Sequence, residues 1–184
     1  VIMDNCYAGY EMTQYLLSKH CRHIAFIKFD KMTCRSLEDR FMGYRKALEE
    51  ADMSVLPEHI ISYDFPTSNG NGTPRIMQKL VKRLISTSPR PDAIITPSDC
   101  FVPDAISYLR SCGIAVPKDV IVAGFDDIHN NLTDDIWPTT KQDFTKMGER
   151  ATEMLLERIT SKDLTPSGMI LPCPLLLSEE QQET

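Results

Sequence analysis

The sequence predicts an α/β protein in which short, buried strands alternate with amphipathic helices around parallel sheets. Three observations carry this expectation. Val120-Ile121-Val122-Ala123 is wholly apolar and Ile24–Phe29 is apolar apart from Lys28, the pattern of strands covered on both faces. Between such runs lie longer segments whose apolar residues recur three and four apart, the pattern of helices with one buried stripe. Clusters of turn residues separate the two kinds of segment, and strands that alternate with helices build βαβ units.

The elements follow in order. Val1-Ile2-Met3 reads as a strand already under way, so sequence upstream of it is expected. Asp4 or Asn5 can cap a helix to about Lys19, with Ala8, Met12, Tyr15, Leu16 and Lys19 at near-helical spacing. His20 and Cys21 end that helix, and the strand Ile24–Phe29 follows. A polar loop around Lys31–Thr33 leads to a helix from about Leu37 to Ala51, with Phe41, Tyr44 and Leu48 as its buried stripe. Ile60–Tyr63 is a third strand. The loop Pro66–Thr73 (PTSNGNGT) is dense in turn residues, and its GNG lacks the GxGxxG spacing of a phosphate-binding turn. Thr73-Pro74 reads as the cap and first residue of a helix faced by Ile76, Leu80, Leu84 and Ile85. After the strand Ala93–Thr96, a helix from about Cys100 to Cys112 ends at Gly113. Pro103 is tolerable there only within the first turn. A last helix is lined by Phe144, Met147, Ala151, Met154, Leu155 and Ile159, Met169–Leu171 forms a final strand, and 178–184 is a polar tail.

Composition excludes several classes. An apolar fraction of 42% with 25% charged residues, over 184 residues, suits one globular domain or two small lobes. No apolar run approaches the ~20 residues that cross a bilayer. Asp4 and Asn5 interrupt the amino terminus before the apolar core of a signal peptide develops. A net charge of −6 argues against this chain gripping nucleic acid, because phosphates need a basic face. The six cysteines form no CxxC pair, which points to reduced thiols in a cytoplasmic protein. His20, Cys21, His23 and Cys34 match no zinc spacing, so no metal and no cofactor is expected.

The stretch that organises the chain is Pro117–Asp127, PKDVIVAGFDD. Its strand ends at Gly124-Phe125 and delivers Asp126 and Asp127 to the sheet edge. Ligands of open parallel sheets bind beyond the carboxyl ends of strands. The same residues would also serve as a turn or a helix cap. No GxSxG, HExxH or P-loop pattern is present. Asp126-Asp127, Asp134-Asp135 and Lys141 could be imagined as a metal-dependent or phosphoacceptor site, but the order of acids along the chain does not fit one. No enzyme is expected.

PKDVIVAGFDD and the run Pro138–Ile159 (PTTKQDFTKMGERATEMLLERI) resemble the carboxyl-terminal part of the lactose-repressor (LacI/GalR) family of bacterial transcriptional regulators. Tyr7–Phe26 (YAGYEMTQYLLSKHCRHIAF) and Arg40–Leu48 (RFMGYRKAL) resemble two earlier segments of the same family, in the same order. The resemblance implies a periplasmic-binding-protein-like fold: two α/β lobes with parallel sheets flanked by helices, a ligand cleft between them, and three chain crossings. Matched to this sequence, the crossings are expected near 29–31, 141–143 and 163–167. Residues 1–29 and 144–162 would then form an incomplete first lobe, and 31–140 with 164–177 the second. An open strand edge would lie beside Ile24–Phe29.

The resemblance also implies a function: a core that senses a small effector, a sugar or sugar phosphate, as part of a dimer that binds operator DNA through a headpiece with no counterpart here. The headpiece could be a helix-turn-helix or a GntR-type winged helix. The alternative on the same fold is a solute-binding protein of a transport system. Carried over position by position, Arg40 and Asp126 would bind the effector's polar groups and Phe144 its apolar face, unless Phe144 is a core residue. Ser98 stands where the family usually has Asn beside the following Asp, here Asp99. A hydroxyl lacks the amide's paired donor and acceptor, so ligand specificity should differ. Pro103 falls in a helix that commonly lies at the family's dimer interface.

Overall fold

The computed structural model describes residues 1–29, 34–63, 73–128, 136–161 and 167–178, with side chains from residue 76 onward in the third helix. Eight strands and five helices are assigned among them. They are β1 (Ile2–Met3), α1 (Asn5–Ser18), β2 (Ile24–Phe29), α2 (Arg35–Glu50), β3 (Ile60–Tyr63), α3 (Thr73–Ile85), β4 (Ala93–Ile95), α4 (Val102–Ser111), β5 (Ile121–Ala123), β6 (Thr139–Thr140), α5 (Phe144–Ser161), β7 (Ile170–Leu171) and β8 (Leu175–Leu176). A 3-10 turn precedes β3, and another, Asp99–Phe101, precedes α4.

The main sheet is parallel with strand order β3-β2-β4-β5. Strand alternation sorts its side chains onto two faces. Ala25, Ile27, Ile94 and Val122 point to one face and pack with Met77, Val81 and Leu84 of α3 and Ala105, Ile106 and Leu109 of α4. Ile24, Phe26, Ala93, Ile95 and Ala123 point to the other, under Met12 and Leu16 of α1 and Tyr44 and Leu48 of α2. Both faces are therefore covered, which is why these strands read as nearly unbroken apolar runs. Pro103 does fall in the first turn of α4.

Two short sheets stand apart from the main one: β1 pairs with β7 in parallel, and β6 pairs with β8 antiparallel. This topology corrects the expected lobe boundaries. A division at residue 29 would separate β2 from β3 and β4, to which it is hydrogen-bonded on either side. The first passage between the small β1–β7 sheet and the main body instead lies at Met3–Asn5. A further passage lies between β7 and β8, at 172–174, so the carboxyl-terminal segment is shared between two sheets; the crossing expected near 163–167 falls almost wholly outside the described residues. The remaining passage runs through 141–143, between β6 and α5. β2 has strand neighbours on both sides, so the open edge expected beside it does not exist. Strands β6 and β8 are additions to the expected elements: Thr139-Thr140 is polar, and Leu175-Leu176 lies close to prolines and has no periodicity of its own.

The three passages lie side by side. The Asp4 amide donates to the Leu171 carbonyl at 2.8 Å, and the Lys141 amide donates to the Pro174 carbonyl at 2.9 Å. Residues 30–33, the PTSNGNGT loop up to residue 72, Asp134-Asp135, 162–166 and the tail from 179 lie outside the described residues.

Candidate ligand-binding site

The site begins with two glycines. Gly9 of α1 rests against the backbone of Arg40, and Gly43 of α2 rests against the Cys6 carbonyl, each so close that a Cβ would collide with main chain. This contact brings the start of α2 onto the start of α1 and turns Arg40 inward at the carboxyl edge of the main sheet. Its side chain is 3% exposed. Nε donates to Asn5 Oδ1 at 2.8 Å, Nη1 to the Pro97 carbonyl at 2.8 Å, and Nη2 to Asp126 Oδ1 at 2.6 Å. The guanidinium carbon sits 4.4 Å from the centre of the Phe125 ring, a cation–π arrangement. A buried arginine is stable only when its donors and charge are met, and here three residues far apart in sequence meet them.

Asp126 comes from the turn that ends β5. Asp126 and Asp127 have φ of 97° and 54°, backbone that aspartate and asparagine tolerate better than most residues. The turn reading and the site reading of this pair therefore both hold. The Asp126 amide donates to the Thr140 carbonyl at 2.9 Å, which fixes the turn to β6. Asp126 Oδ1 also accepts from Gln142 Nε2 at 2.6 Å. Both donors converge on one carboxylate oxygen. Among the described residues the other oxygen, Oδ2, accepts no hydrogen bond, and the side chain is 15% exposed.

Beneath this pair lies Asp99, fully buried. Its Oδ1 accepts from Trp137 Nε1 at 2.9 Å, and its Oδ2 accepts from Thr139 Oγ1 at 2.7 Å and the Ile128 amide at 2.9 Å. Gly124 makes room for the carboxylate, since a Cβ there would strike Asp99 Oδ1. Burial pushes the Asp99 carboxyl up from 3.8 to about 6, partly offset by these three donors. Asp99 thus clamps the end of β5 to the segment that carries Trp137 and Thr139.

The four expected site residues fare differently. Arg40 and Asp126 come together, but as partners of each other rather than as two free arms. Ser98 follows Pro97 at the end of β4. It is half-buried, and its hydroxyl caps the next turn by accepting from the Cys100 amide at 3.4 Å. Phe144 opens α5 with its side chain 53% exposed. Among the described residues its ring contacts no other ring. Asn5 and Gln142 are not among the site residues that the sequence points to, and Asp99 enters there only as the neighbour of Ser98, without a role. Asn5 looked like a cap, a role that Asp4 takes by accepting from the Tyr7 amide at 3.0 Å. Gln142 carried no local signal beyond its place in the QDF run. No group of histidines, cysteines or acids that could hold a metal occurs among the described residues.

The periplasmic binding protein-like domain family matches residues 13–177 of the chain. The chain is 34% identical over 168 residues to the HTH-type transcriptional repressor PurR of Aliivibrio fischeri, covering 88% of this chain and 47% of that protein. It is 29% identical over 182 residues to the HTH-type transcriptional regulator RegA of Clostridium saccharobutylicum, covering 97% and 52% respectively. It spans about half the length of these curated relatives. Among solved structures, a complex of the transcriptional regulator CelR with cellobiose superposes with a TM-score of 0.79 at 28% identity, over 95% of this chain and 51% of that one. A LacI transcriptional regulator from Bacillus cereus subsp. cytotoxis gives 0.81 at 27% identity, over 95% and 59%.

Proposed function

The chain belongs to the periplasmic binding protein-like domain family, and from that premise we propose that it is the effector-sensing core of a LacI-type transcriptional regulator. A small polar effector, a sugar or its phosphate, binds at the carboxyl edge of the main sheet against Asp126, with Arg40, Gln142, Ser98 and Phe144 around it. Binding there alters the relation between the main body and the β1–β7 side, and operator binding by a headpiece outside this chain responds. The whole regulator works as a homodimer in the cytoplasm. The relatives are named as transcriptional repressors and regulators, which points away from an enzyme.

One observation carries this reading. Arg40, Asp126 and Gln142 form a single buried-to-exposed hydrogen-bonded group at the strand ends, where ligands of open parallel sheets bind. The partly exposed Asp126 carboxylate still has acceptor capacity, and hydroxyl groups of a sugar are donors that fit it. Arg40 orients that carboxylate from behind. Such a ligand shifts a conformational equilibrium only through different affinities for the two states.

The test is calorimetric titration of the protein against neutral sugars and sugar phosphates. Asp126→Asn tolerates the positive φ and removes the charge. It should weaken binding of the true effector about ten- to a hundred-fold, the loss of one charge-assisted hydrogen bond. Unchanged affinity in a folded Asp126→Asn protein would move the site elsewhere.

A further inference from the structure

We infer that Asn5 is a positioning residue that ties the Arg40–Asp126 pair to β1, so that the state of the pair is felt in the first passage between the β1–β7 pair and the main body. Asn5 is 7% exposed and spends both ends of its amide on this link. Oδ1 accepts from Arg40 Nε at 2.8 Å, and Nδ2 donates to the Met3 carbonyl at 3.2 Å. The amide has only one workable orientation, because Arg40 Nε–H is a donor alone and the Met3 carbonyl an acceptor alone. Of the small side chains, only asparagine offers a donor and an acceptor in this geometry. Asp4 already caps α1, so Asn5 is not needed for that task.

The strand end of the link is anchored. Met3 pairs with Leu171 in β7, the Ile2 amide donates to the Met169 carbonyl at 2.9 Å, and the Asp4 amide donates to the Leu171 carbonyl at 2.8 Å. One side chain therefore bridges the guanidinium and the β1–β7 pair. Gln142 grips the other member of the ion pair from the passage between β6 and α5. The pair is held from two passages at once, and a disturbance at Asp126 reaches β1 through Arg40 and Asn5. The value of this link for effector sensing rests on the proposed function; the link itself does not.

Spatial continuity alone does not establish coupling, so the test is a double-mutant cycle that needs no ligand. Native-state hydrogen exchange of the Ile2 and Asp4 amides is measured in the full-length protein containing this chain. It is compared among the wild type, Asp126→Asn, Asn5→Ala and the double variant. Asp126→Asn should speed exchange of both amides about five-fold in the wild-type background and less than about two-fold when Asn5 is alanine, since the bridge is then already cut. Asn5→Asp gives a second cut should the alanine variant not fold. It keeps an acceptor for Arg40 Nε, loses the donor to the Met3 carbonyl, and should abolish the effect of Asp126→Asn in the same way. Equal acceleration in all backgrounds, or none in the wild type, overturns the inference. An effector titration that finds no ligand would reject the sensing site while leaving the exchange result intact, so the two failures are distinguishable.

Discussion

At the scale of single residues, two buried charges decide what substitutions do here. Arg40 is enclosed by the Asn5 amide oxygen, the Pro97 carbonyl, the Asp126 carboxylate and the Phe125 ring. Removing it leaves the Asn5 and Pro97 oxygens without this donor and Asp126 without its counter-charge, so Arg40→Ala should lower stability by about 3–5 kcal/mol, the range for breaking a buried pair. Urea unfolding measures this, and a loss under about 1 kcal/mol would show that water replaces the guanidinium freely. Asp99 makes the second case. Its carboxyl is raised from 3.8 to about 6 by burial, so the native state holds the proton more tightly than the unfolded chain does. The stability it contributes is fully present below 3.8 and is lost as pH rises through about 6. Between pH 4 and pH 7 the wild type should lose about 2 kcal/mol relative to Asp99→Asn, which cannot ionise. Parallel pH profiles for the two proteins would refute this. The three donors that converge on Asp99 also predict that the asparagine variant is the less stable at pH 4, because its amide group faces donors.

At the scale of elements, the contact of α1 with α2 sets the position of the site. Gly9 and Gly43 let the two helices approach until backbone meets backbone. A methyl group at either place forces the helices apart and carries Arg40 away from Asn5 and Pro97. Gly43→Ala should destabilise by about 3 kcal/mol, the upper end of overpacking. Gly148 of α5 is the control: nothing lies within 4 Å of its added Cβ. Gly148→Ala should stabilise by about 0.5–1 kcal/mol through helix propensity alone. Thermal unfolding of the two variants tests the sign, and a neutral Gly43→Ala would mean that the helix contact has slack.

At the scale of the whole molecule, α5 has no fully buried residue. Phe144, Leu155, Leu156 and Ile159 on that helix, with Ile2 and Ile170 on the β1–β7 pair, are all more than half exposed. An apolar groove lined by Val1, Ala151, Met154, Leu155, Arg158 and Ser167 joins the helix to the start of β1. Exposed apolar surface of this continuity favours association. The chain by itself should form concentration-dependent oligomers, and Leu155→Glu with Ile159→Glu should reduce them. Light scattering that finds the unsubstituted chain monomeric at high concentration would contradict this. Among the described residues no helix is long and apolar enough to cross a membrane.

The sequence by itself determined the alternation of strands and helices, because periodicity is written within a few residues of each position. It also determined that Asp126 and Asp127 stand at the end of a buried strand, since the apolar run and the turn are contiguous. The family resemblance added Arg40 and the periplasmic-binding-protein-like fold with parallel sheets flanked by helices. Only the tertiary structure decided which sheet each strand joins, and so moved the first boundary from residue 29 to Met3–Asn5. Register and sheet order arise from pairing between distant segments, and no local pattern distinguishes a strand of one sheet from a strand of the next. The same holds for the site: Arg40 and Asp126 lie 86 positions apart, and Asn5 and Arg40 lie 35 apart. Their roles depend on hydrogen bonds formed after the sheet has assembled, when burial makes each unmet polar group costly.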